Sequence, residues 1–131
     1  MALLRDQQRA CLAYEKVAEV DVGVRDSYRI AVQDLGTNLR RMGLAASVSM
    51  LERRSDPAGR LLLGHIAAAR IRGLGDDARH LPSCARKLDD VSSYMLATRE
   101  LLRLAAWFNR AVQATFTEGE ADGHEEFGDA G

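Results

Sequence analysis

The chain has 131 residues, of which 47% are hydrophobic, 28% charged and only 5% aromatic. That length supports one hydrophobic core but not two, and the scarcity of aromatic and β-branched runs argues against a sheet. The formal charge of -1 conceals an asymmetry: residues 118–131 hold six acidic side chains and no Lys or Arg, so residues 1–117 keep 18 basic side chains against 13 of the 19 acidic ones.

Taken in order, Ala2 to Glu19 reads as a first helix, with Leu4, Cys11, Tyr14 and Ala18 along one stripe. VDVGV at residues 20–24 breaks it at Gly23. A second helix carries Tyr28, Val32, Leu35, Leu39 and Met42 at spacings of four and three, a seam for a neighbouring helix. Gly36 inside it marks a candidate close crossing, and Gly43 is placed to end it in a left-handed cap with Leu44 folding back on Leu39. A third helix, Leu44 to Arg54, turns Leu44, Val48 and Leu51 inward and finishes on Arg53 and Arg54, where positive charge suits the helix dipole. Asp56-Pro57 is a start signal for a fourth helix through Leu61, Leu62, Ile66, Ala69 and Ile71, closed by Gly73 and Gly75. Asp76 to Leu88 reads as a loop with one short helical turn after Pro82.

The stretch Asp89 to Phe116 dominates the pattern. Val91, Tyr94, Met95, Thr98, Leu101, Leu102, Ala105, Phe108, Val112 and Phe116 share one broad face, and Leu96, Leu104, Trp107 and Ala111 lie opposite. A helix apolar on two sides belongs at the centre of a bundle. Between those faces Arg99, Arg103 and Arg110 fall on one line. The expected architecture is therefore all-α, a single compact bundle of about five or six helices over residues 1–117, followed by an acidic, disordered tail at 118–131. No apolar run approaches the ~20 residues of a membrane span, and MALLRDQQRACLAYEK is charged too early for a secretory signal, so a cytoplasmic protein is expected. Cys11 and Cys84 are expected as buried free thiols.

Catalytic constellations are sparse. His80 and Cys84 are four apart but make only two ligands, and the paired carboxylates Asp76-Asp77 and Asp89-Asp90 are explained by helix starts. No metal or cofactor site and no phosphate-binding glycine loop emerges. RLLLGH, Arg60 to His65, has the Arg-to-His spacing that resembles the ribonuclease motif of the HEPN superfamily, where the histidine would serve a ribose 2'-hydroxyl and the arginine a phosphate; Leu61 stands where that family usually has a polar residue.

A broader resemblance covers nearly the whole folded part. QRACLAYEKVAEV, the Tyr28 to Leu51 stretch and YMLATRELLRLAAWFNRAV are similar to the small helical subunit of type III-B CRISPR effector complexes, the fifth protein of the Cmr set. Its weight rests on Arg40, Arg41, Gly43 and Leu44, and on Tyr94, Thr98, Arg99, Glu100, Leu104, Trp107 and Arg110. Met42 replaces a frequent asparagine, Asn109 replaces a frequent basic residue, and the acidic tail is outside the pattern. The resemblance implies a non-catalytic subunit that stacks in copies beside the filament carrying the guide RNA, with backbone and large Cmr subunits, guide RNA and target RNA as partners and cutting done elsewhere.

Sixteen of the 18 basic residues are arginine, suited to bidentate phosphate contacts, although a GC-rich genome gives the same bias. The candidate RNA-facing residues are Arg40, Arg41, Arg53, Arg54, Arg99, Arg103 and Arg110. The competing account is a solvated face with intrahelical pairs, such as Glu100 with Arg103. A third account is a protein-only adaptor that uses Trp107, Leu96 or Leu104 as an exposed apolar patch.

Overall fold

The computed structural model describes the backbone of residues 2–130 and the side chains of residues 5–116. Six helices follow one another: α1 (Ala2–Ala18), α2 (Arg25–Met42), α3 (Leu44–Arg53), α4 (Pro57–Ala68), α5 (Leu81–Lys87) and α6 (Val91–Ala130), with a 3-10 turn at Val22–Val24 before α2. Among the described residues there is no strand, in line with the all-α expectation, and no helix is long and apolar enough to cross a membrane. The acidic stretch 118–131, expected to be disordered, falls outside the residues whose side chains are described.

α6 is the central helix because it is apolar on two sides. α1 packs on one side and α2 on the other, while α3 lies against α2, α4 and α5. Leu101, Leu104, Phe108 and Phe116 are fully enclosed, and the small side chains Ala97, Ala105 and Ala111 let the flanking helices approach. Burial of each large side chain stabilises the bundle by about 2–3 kcal/mol. Val91 and Met95, assigned to the packed face by periodicity, are instead exposed, since α2 ends at Met42 and leaves the start of α6 uncovered.

The α2 seam forms as its spacing predicts, with Tyr28, Val32, Leu35 and Leu39 buried and Ala31 added; Met42, at the helix end, is exposed. The α1 stripe needs correction. Cys11, Tyr14 and Ala18 face solvent, and the buried line is Arg9, Ala13, Val17 and Val20. Pattern reading rejects that line because it contains an arginine, but Arg9 is neutralised by Glu100 of α6 through bonds of 2.6 and 2.7 Å. Cys11 and Cys84 are free, as expected, yet neither is buried.

Each link has a local cause. Gly43 takes φ 86° and ψ -179°, so the chain passes from α2 to α3 through one residue rather than a complete left-handed cap. The Tyr94 hydroxyl of α6 accepts the Ala45 N–H at 3.1 Å, and the Ser47 hydroxyl donates to the Gly43 carbonyl at 2.6 Å, which satisfies the first turn of α3. Gly36 is not the close crossing, because a Cβ there would meet only the Arg40 guanidinium. The close crossing is at Gly59, where a Cβ would collide with the Leu51 carbonyl oxygen as α4 passes α3. α4 starts at Pro57 as expected but stops at Ala68, before Ile71. The short turn after Pro82 proves to be a seven-residue helix, anchored by buried Leu81, Pro82 and Ala85. Asp90 opens α6 by accepting both the N–H and the hydroxyl of Ser93, which holds its carboxyl below the ordinary value.

Candidate nucleic-acid interface

The outer strip of α6 is what remains once α1 and α2 have covered its two apolar sides. Arg99, Arg103 and Arg110 stand on it, all exposed. The expected pair between Glu100 and Arg103 does not form: Glu100 turns toward α1, where Arg9 grips both its oxygens and Arg5 approaches to 3.7 Å. Among the described residues no carboxylate lies within ion-pairing distance of Arg99, Arg103 or Arg110. Arg110 lies over the Trp107 ring, 4.8 Å from its centroid, which orients the guanidinium along the helix surface.

Across from this strip, Arg40 of α2 comes into the same groove as Arg110. The groove, about 450 Å³, runs between α2 and α6 and is edged by Gln33, Thr37 and Gln113. Asn109 also faces it, and its Oδ1 is buried without a hydrogen-bond partner among the described residues. A groove with two cations and several amides offers donors to phosphate and ribose oxygens. Arg41 is exposed at the end of α2, and Arg53 is exposed at the end of α3; neither has a carboxylate partner among the described residues. Arg54 differs. Its guanidinium forks onto Asp56 at 2.8 and 3.1 Å and reaches Asp34 at 3.6 Å, tying the α3–α4 link to α2. The Arg54 fork holds the Asp56 carboxyl below its usual range. The structure thus joins Arg40 with Arg110, keeps Arg99 and Arg103 on the adjoining strip, and commits Arg54 to an internal pairing.

The Arg60 and His65 pair is split by the helix. Arg60 is exposed, whereas His65 is buried and stacks on Phe108, with ring centroids 6.1 Å apart and planes within 5°. The Tyr28 hydroxyl lies 2.7 Å from His65 Nδ1. Burial lowers the His65 pKa to about 4 and raises that of Tyr28. Two groups on different sides of α4, one of them enclosed in the core, cannot converge on one ribose phosphate. The adaptor patch is likewise divided: Leu96 is exposed, Leu104 is buried, and Trp107 is half-buried with its indole N–H given to Asp6 at 2.9 Å. Among the described residues no three His, Cys, Asp or Glu side chains converge as metal ligands, and the His80 ring is engaged by Asp77 at 3.1 Å.

The model of the CRISPR-associated protein family Cas_Cmr5 matches residues 5–115, from the first turn of α1 to Thr115 within α6. The chain belongs to the Cmr5 family. The resemblance read from Arg40 to Leu44 and from Tyr94 to Arg110 is thereby established, that of a small subunit of the type III-B Cmr system. The CRISPR system Cmr subunit Cmr5 of Thermus thermophilus is 34% identical over 116 residues, covering 87% of this chain and 97% of that protein. A crystal structure of a CRISPR-associated Cmr5 family protein from the same organism superposes with a TM-score of 0.74 at 32% identity, over 84% of this chain and 96% of that one. The Cmr5 match ends before the acidic stretch, which is a feature of this chain beyond the matched region.

Proposed function

We propose that this Cmr5 chain is a non-catalytic structural subunit of a type III-B CRISPR complex, stacking in copies beside the guide-RNA filament and touching the sugar-phosphate backbone of the target strand. The observation that carries the reading is a set of exposed arginines without carboxylate partners among the described residues: Arg99, Arg103 and Arg110 on the α6 strip, with Arg40 facing Arg110 across the groove. Such a surface follows phosphates but does not read bases, since the one tryptophan offers no open platform: Arg110 covers its face and Asp6 takes its N–H. Sequence choice then falls to guide pairing. Arg41 and Arg53 extend the cationic surface, and Arg54 contributes through the position it gives the α3–α4 link. The partners are the backbone and large Cmr subunits, further copies of this chain, and the guide and target RNA, all in the cytoplasm. Exposed apolar side chains such as Leu96 belong to contacts between copies.

The test is target capture by the assembled complex. Arg99→Glu with Arg103→Glu should leave the helical spectrum and melting midpoint of the subunit unchanged while weakening target-RNA binding by about tenfold or more and flattening its salt dependence. Capture that is unchanged at moderate salt removes this strip from the RNA path.

A further inference from the structure

A second groove, of about 520 Å³, opens between the start of α1, the residues that follow α4 and the first half of α6. Its floor is apolar, built from Leu12, Ile71, Leu104 and Leu96, the last of which is 59% exposed and so leaves a large hydrocarbon surface in water. Its rim is cationic. Arg5, Arg70 and Arg72 stand there, and the one carboxylate among the described lining residues, Glu100, is already occupied by the Arg9 fork. Arg70 and Arg72 have no carboxylate partner among the described residues. Arg70 has φ 52°, a conformation that glycine or asparagine adopts more readily, and it is the sole non-glycine residue with positive φ among the described ones. A long cation thus stands at a turn where a smaller residue would rest more easily.

We propose that this groove docks an acidic peptide with one large apolar anchor, and that the occupant is the C-terminal stretch of a second copy, around Glu125, Glu126 and Phe127. Residues 118–131 carry six acidic side chains, no Lys or Arg, and Phe127 as their one large apolar side chain. That composition complements the rim in sign and the floor in polarity. Direction selects the second copy. The groove meets α6 at Leu96 to Leu104, and the helix then carries the chain onward 12 residues to Phe116, about 18 Å at 1.5 Å per residue. A stretch that starts beyond Phe116 must reverse to enter its own groove, whereas the same stretch of a copy stacked end to end arrives in line. Groove and tail are different surfaces, so the contact is head-to-tail and generates an open series. It rests on the stacking of copies proposed above and refines it.

The experiment titrates a fluorescent synthetic peptide of residues 118–131 with the full-length chain and follows anisotropy. Expected is saturable binding that weakens about fivefold or more between roughly 50 and 300 mM salt, as screening of a multiply charged contact requires. Arg70→Glu with Arg72→Glu should weaken it about tenfold, and a peptide with Phe127→Ala severalfold. In sedimentation, Glu125→Lys with Glu126→Lys should abolish self-association of the full chain, and mixing that variant with the Arg70→Glu, Arg72→Glu chain should restore it by charge exchange. Matched helical spectra show that each variant is folded. Absent binding, or equal binding to the groove variant, overturns the proposal. Peptide binding only after the chain's own stretch has been reversed in charge overturns the second-copy assignment in favour of an internal contact. Loss of the tail contact from a complex that still assembles and captures RNA sinks this inference alone; a chain that joins neither Cmr subunits nor RNA sinks the functional reading.

Discussion

Lowering the pH from 7 to 5 should destabilise this protein through one side chain, His65. Its folded-state pKa is about 4, against an ordinary 6.5, because the ring is sealed between Tyr28 and Phe108 with Lys16 nearby as a lesser contributor. The folded state therefore refuses a proton that the unfolded chain accepts, and stability present above pH 6.5 drains away as the pH falls toward 4. Each unit in that window costs about 1.4 kcal/mol, so the descent to pH 5 removes about 2 kcal/mol, roughly thirtyfold in the folding equilibrium. The depressed carboxyls of Asp56, Asp77 and Asp90 act elsewhere on the scale. Their contribution is present above the ordinary 3.8 and is lost only as pH falls below it, so the interval from 7 to 5 isolates the histidine. The assay is urea unfolding at pH 7 and 5 for the natural chain and for His65→Gln, which keeps a polar partner for the Tyr28 hydroxyl without titrating. The natural chain should lose about 2 kcal/mol more than the variant. Equal losses would refute the account of His65 as a buried neutral ring.

Two substitutions probe the packing, and they should differ in sign. Gly59→Ala drives a Cβ into the Leu51 carbonyl oxygen and against the Arg54 Cβ at 3.0 Å, so it should cost about 2–3 kcal/mol and lower the melting midpoint by roughly 10 °C. Gly36→Ala meets only the mobile Arg40 guanidinium and should leave the midpoint unchanged or raise it, by up to about 1 kcal/mol from helix propensity. Glu100→Gln leaves Arg9, 8% exposed, facing a neutral amide; because Glu100 itself is partly solvated, the expected loss in chemical denaturation is about 1–2 kcal/mol.

Much of the bundle is legible in the sequence because its signals are local. The four-and-three spacing from Tyr28 to Leu39, the Asp56-Pro57 start and the two-sided apolar pattern around Phe108 each fall within a few turns of chain, and the structure places them as periodicity requires. The misreadings share one cause, dependence on a distant residue. Arg9 could be assigned to a buried line only with knowledge of Glu100, 91 residues away. Residues 81–87 form a helix because Leu81 and Ala85 find a buried seat, which their short run does not announce. The arginines are visible as a set, but their grouping is not: nothing in the spacing pairs Arg40 with Arg110 or reserves Arg54 for Asp56 and Asp34. The Arg5, Arg70 and Arg72 rim leaves no local trace, since its members come from segments about half the chain apart.

The order of synthesis gives the α1–α6 contact a further meaning. α1 leaves the ribosome before α2 to α6, yet its long-range side-chain bonds among the described residues are to α6: Arg9 to Glu100, and Asp6 with Trp107, 101 residues on. The segment from α2 to α5 can begin to pack while translation continues, through the α2–α3–α4 contacts and the α3–α5 contact. α1 finds most of its partners in α6, so its Ala13 and Val17 side stays largely open on the nascent chain until α6 has emerged. Completion of the fold is therefore the meeting of the first helix with the last, and a pause in elongation before residue 100 would leave the N-terminal helix as the segment offered to chaperones and proteases.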